Sequence, residues 1–118
     1  MKTFRNQAAQ GDLLIRRISA LPATGLRPLA TEGGNFIVAH SETGHHHVIA
    51  ERPNVQVWLG ENPDISYLQV IEATEATEAL LEHLRSYDTH ETLQIPPGVY
   101  ELRRQREHTP EGWRRVQD

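Results

Sequence analysis

Turn signals recur so often along this chain that almost no stretch is left for a long helix. Gly11-Asp12, Ser41-Glu42-Thr43-Gly44, Arg52-Pro53-Asn54, Gly60-Glu61-Asn62-Pro63-Asp64, Pro96-Pro97-Gly98 and His108-Thr109-Pro110-Glu111-Gly112 each break the chain after a few residues. Glycine, proline and asparagine favour backbone angles and lost donors that end regular structure. Between these breaks lie short apolar runs of strand length. The pattern therefore predicts a mainly β fold: a small antiparallel barrel or sandwich with at most one short helix. A sheet with one apolar face must bury it, so a two-sheet or closed arrangement is expected over one open sheet.

The runs can be placed one by one. "GDLLIRRI" (11–18) reads as a strand. "NFIVAH" (35–40), the SETG turn and "HHHVIA" (45–50) read as a β-hairpin. "VQVWL" (55–59) alternates, with Val55, Val57 and Leu59 on one face and Gln56 and Trp58 on the other. "ISYLQVIEA" (65–73), "VYELRRQRE" (99–107) and "WRRV" (113–116) supply further strands. Residues 19–34, with two prolines and three glycines, form a long connection. "TEATEALLEHL" (74–84) is rich in alanine, glutamate and leucine and reads as the helix. Residues 1–10 are polar and are expected to form a flexible or draped arm. A length of 118 residues fits a single domain.

Composition narrows the chemistry. There is no cysteine, so disulfides, zinc–thiolate sites and a cysteine nucleophile are excluded. A formal charge of -4 argues against a general nucleic-acid binder. No apolar run approaches the roughly 18 residues of a membrane span, and the N-terminus lacks an apolar signal core. A cytoplasmic protein with no membrane partner is expected. No phosphate-binding loop, dinucleotide fingerprint or nucleophile elbow occurs.

The histidines carry the strongest chemical signal. Strand alternation puts His45 and His47 on one face and His46 on the other. His40 lies across the hairpin turn from His45, close enough for side chains to meet. Glu51 shares the parity of His45 and His47. His90 and Glu91 form a second polar pair. One reading is a divalent metal site (zinc, iron, manganese or nickel) held by His45, His47, His40, His90 and Glu51, with Glu91 as a base. The other is a solvated polar hairpin. His83 and His108 read as surface residues. A second surface is the arginine-rich tail: Arg103, Arg104, Arg106, Arg114 and Arg115 with Trp113 form a surface for anions or a partner, or a solvated face balanced by Glu101, Glu107, Glu111 and Asp118. Three functions follow: metal binding with activity on a small substrate, a non-enzymatic interaction or assembly module that can be oligomeric, and an anion or nucleic-acid binder.

Two resemblances attach to these residues. His45, His47 and Glu51 make H-x-H-x3-E, which resembles half of the first cupin motif, and Pro96-Pro97-Gly98 resembles the turn of the second. The resemblance implies a cupin-like barrel with a divalent metal. Glu101 stands where that family carries a histidine ligand, and Ala39 where it carries a glycine. "TGHHHVI" with the later "PPGVYELRRQRE" is also similar to small bacterial and prophage proteins sharing TGHxH and a PPGxYxxRRQRE-like tail. That similarity implies a phage-related family and no particular activity.

Overall fold

The computed structural model describes residues 2–39, 46–72, 78–83, 92–109 and 112–115. Among them are thirteen strands and no helix. One sheet has five strands in the order β1 (Lys2–Thr3), β10 (Leu93–Ile95), β9 (Ala79–His83), β6 (His47–Ala50), β5 (Asn35–Ala39). The other has six: β2 (Gln7–Gln10), β3 (Leu13–Ile18), β11 (Gly98–Arg104), β8 (Ile65–Val70), β7 (Val55–Leu59), β4 (Arg27–Pro28). β12 (Arg106–Thr109) and β13 (Gly112–Arg115) pair as a separate hairpin. Neither sheet closes on itself, so the expected barrel-or-sandwich takes the two-sheet form and no closed barrel is present among the described residues.

Period-2 patterning explains which residues meet. Leu13, Ile15, Tyr100, Leu102, Leu68, Val70, Val55 and Val57 come from the six-stranded sheet. They pack against Phe36, Ile49, Ala79, Leu81, Leu93 and Ile95 of the five-stranded sheet to form one core. The alternation expected of 55–59 holds for its first three residues: Val55 and Val57 are buried and Gln56 is exposed. The hairpin around the SETG turn pairs as expected, Asn35 with Ala50 through Ala39 with His47, with one irregularity between Ile37 and Ala39. Tyr100 anchors the core's edge. Its ring meets Phe4 edge-on at 5.8 Å, and the Arg17 guanidinium lies 4.9 Å from its centre. Arg17 also donates to the carbonyls of Arg5 and Pro97 and to the Tyr100 hydroxyl, so it ties three segments together. Burial raises the Tyr100 pKa, although Arg17 opposes this.

Two expectations are corrected. Within the stretch read as a helix, residues 79–83 are strand β9, hydrogen-bonded between β6 and β10; residues 74–77 and 84 lie outside the described residues. Ala79 and Leu81 are fully buried while Glu82 is exposed, an alternation that a strand satisfies. Helix propensity is worth a few tenths of a kcal/mol per residue, and pairing on both edges overrides it. His83, read as a surface helix residue, stands opposite His47 in this register. Residues 2–10 also do more than drape: Gln7–Gln10 pairs with β3, with Gln10 opposite Leu13, and Lys2–Thr3 runs parallel to β10.

The strand assignment of 79–83 is testable. Leu81→Ala is expected to cost about 2–5 kcal/mol in urea unfolding, as for a buried leucine. Glu82→Ala, one residue on, should stay within about 0.5 kcal/mol. Equal effects at the two positions would contradict the alternation.

Candidate functional site

The polar centre of the molecule is a buried network around His47. Its imidazole is fully buried, although it sits on the strand where a metal ligand was expected. Nδ1 lies 2.8 Å from the Gln10 side-chain oxygen, and Nε2 lies 3.2 Å from Asp12 Oδ1. Gln10 donates its amide nitrogen to the Leu81 carbonyl at 3.0 Å. Arg104 Nε donates to Asp12 Oδ2 at 3.1 Å, and the Gln105 amide donates to the Asp12 carbonyl.

Each member has a structural reason for its place. Gln10 ends β2 and Asp12 sits in the two-residue turn before β3, so the turn aims both side chains inward from one corner of the six-stranded sheet. His47 begins β6 and Leu81 lies on β9, both in the five-stranded sheet. Arg104 ends β11 and closes the corner. The network is thus a clasp between sheets. Its hydrogen positions follow from the chemistry. Gln10 must turn its nitrogen to Leu81, so its oxygen faces His47 and accepts a hydrogen from Nδ1. Nε2 faces the Asp12 carboxylate, which can only accept, at 3.2 Å.

Asp12 shows the electrostatic balance. Burial raises its pKa, but hydrogen bonds from His47 and Arg104, reinforced by their charges, outweigh that and bring it from 3.8 to about 2.

The other expected site residues are dispersed. His40, His45, His90 and Glu91 lie outside the described residues. Glu51 is exposed just past β6, its amide bonded to the Gly34 carbonyl. Among the described residues no group of three or more histidine, aspartate or glutamate side chains is arranged to hold a metal ion. Of the arginine surface, Arg104 turns inward to Asp12 while Arg103 stays exposed beside Glu101. Arg106 stands opposite Arg115, Glu107 opposite Arg114, and His108 opposite Trp113 in the terminal hairpin. Gln10 and Asp12 went unnoticed in the sequence, where "QGD" reads as an ordinary polar turn. Only the burial of a polar corner marks them.

The outer face of the six-stranded sheet is the other feature of note. Register lines up Gln7, Arg16, Glu101, Tyr67, Trp58 and Pro28 in one row across all six strands. Arg16 and Arg103 approach Glu101 at 3.6 and 3.2 Å, with about half of each arginine side chain exposed. Tyr67 and Trp58 are partly exposed.

Among the described residues, fold and network define a β protein of two packed sheets and a separate hairpin, with His47 spent on joining the sheets. No helix among the described residues is long and apolar enough to cross a membrane. The chain belongs to the family described as "Domain of unknown function (DUF8820)", whose model matches residues 9–105. No curated protein and no solved structure matches it.

Removing one member of the clasp should be costly. His47→Ala is expected to destabilise by about 3–5 kcal/mol, because it leaves Asp12 and Gln10 facing a void. Asp12→Ala combined with His47→Ala should cost less than the sum of the two, which a double-mutant cycle reads directly. Additive losses would mean the two groups act separately. The depressed Asp12 pKa has its own signature. Its contribution is full above pH 3.8 and is lost as pH falls towards about 2. That contribution is about 2 kcal/mol. Acid unfolding of Asp12→Asn should lack that component, whatever its stability at neutral pH.

Proposed function

We propose that this protein is a non-enzymatic interaction module that assembles with a second copy of itself through the outer face of its six-stranded sheet. The observation that carries this reading is the composition and order of the row Arg16–Glu101–Tyr67–Trp58–Pro28. Arginine, tyrosine and tryptophan are the residues that dominate binding energy at protein interfaces. Here they are segregated: the β3–β11 half carries Arg16, Glu101 and Arg103, and the β8–β7–β4 half carries Ile65, Tyr67, Trp58 and Pro28. A twofold axis between β11 and β8 sets the arginine half of one copy over the aromatic half of the other. Such an arrangement is self-complementary, as an isologous dimer requires, and brings guanidinium groups onto aromatic rings.

The metal reading has less support at His47, because both of its ring nitrogens already face protein partners. A metal there has to displace Gln10 or Asp12 and give up the clasp.

Sedimentation equilibrium tests the assembly. The native protein is expected to show a concentration-dependent dimer. Trp58→Ser and Arg16→Glu should each weaken dimerisation about tenfold or more, the size of a hot-spot loss, with circular dichroism and melting unchanged. A protein that stays monomeric up to millimolar concentration overturns the proposal.

A further inference from the structure

At the β7–β8 end of the same sheet lies a cleft of about 340 Å³. One wall is the 22–26 segment, with Pro22, Thr24, Gly25 and Leu26, and the other is the turn after β7 with Glu61, Asn62, Ile65 and Tyr67. Two glycines shape it. Gly25 has φ +79, and a Cβ there would lie 2.5 Å from Glu61 Oε1, so only glycine lets the carboxylate fold against that wall. At Gly60 a Cβ would meet the Tyr67 ring at 3.1 Å, so its absence lets the ring lie across the strand end. The turn itself is held in place. Asn62 accepts the Asp64 amide on its side-chain oxygen and the Ile65 amide on its carbonyl, and the Asp64 carbonyl accepts the Arg104 amide.

We propose that this cleft binds a primary ammonium group carried on an aliphatic stem. Glu61 supplies the only charged side chain of the lining, and no lysine or arginine is paired with it among the described residues. Tyr67, which also lines the cleft, carries a negative π face, and the Thr24 hydroxyl can accept a further hydrogen bond. Pro22, Leu26 and Ile65 give the methylene stem an apolar bed, the usual division between a buried stem and a paired cationic head. An anionic ligand meets the Glu61 charge with no cationic side chain to offset it among the described residues of the lining. The cleft shares Ile65 and Tyr67 with the proposed dimer face, whereas Trp58 and Arg16 do not line it, so Trp58→Ser tests the two separately.

The lysine side chain of a polypeptide and a free alkyl polyamine share this chemistry. Full-length protein is titrated with N-acetyl-lysine methylamide, with a diaminoalkane, and with the neutral alcohol of the same chain length. The backbone amides of Gly25, Gly60 and Asn62 are followed by ¹H–¹⁵N NMR. The expected result is saturable shifts with the amines and not with the alcohol. Glu61→Gln should weaken binding roughly tenfold, and Tyr67→Leu should weaken it less, as cation–π contacts are the smaller contribution. Tighter binding of the lysine derivative assigns the site to a polypeptide side chain, and tighter binding of the diamine to a polyamine; either supports the ammonium site. If neither amine shifts these resonances, if the alcohol binds as well, or if Glu61→Gln binds as tightly as native, the proposal is wrong. The monomeric Trp58→Ser protein is titrated in parallel. Retained binding there separates the cleft from the assembly face, so either proposal can fail alone.

Discussion

The contact between Asp12 and His47 joins the two sheets at a charged, enclosed corner, and the remaining architecture is arranged around it. Burying a carboxylate is expensive unless charge and hydrogen bonds replace the lost water. Here His47 and Arg104 both supply them, from different strands in different sheets. Gln10 passes the same constraint on to the Leu81 carbonyl. The apolar core would accept small slides of one sheet over the other. A directional network drawn from both sheets does not, so the clasp contributes mainly a unique register of the sheets.

That arrangement also fixes which described side chains face outward. The histidine with the strongest chemical promise is spent on the inside. The six-stranded sheet then divides its duties by face: valine, leucine, isoleucine and Tyr100 inward, and Arg16, Glu101, Arg103, Tyr67 and Trp58 outward. Because strand side chains alternate, each outward residue is fixed by the inward neighbour that must stay in the core. Arg103 faces out because Leu102 faces in, and Arg104 then has to face in, where Asp12 receives it.

Much of the fold was legible. The turn-forming clusters located the breaks, and the hairpin of β5 with β6, the alternation of β7 and the strand at 13–18 could be placed from local pattern. The segment 79–83 could not. Alanine, leucine and glutamate favour a helix in isolation, and only the open position between β6 and β10 makes a strand the better use of Ala79 and Leu81. The N-terminal residues misled for the opposite reason: Gln7 to Gln10 look too polar to pair, yet Ala8 packs on the core and Gln10 finds buried partners. The site was half legible. Alternation singled out His47 as one member of a polar face, but the residues that claim it lie more than thirty positions away in "QGD".

By itself the sequence determined a β protein without thiol chemistry, its turn positions, and the parity of the residues in each strand, because these depend on backbone preferences and a period of two. The tertiary structure alone decided which polar residues went inside. Whether an imidazole faces water, a metal or a carboxylate depends on what distant strands place beside it. Gln10, Asp12 and Arg104 come from two other parts of the chain, and only the packing of one sheet on the other brings them to His47.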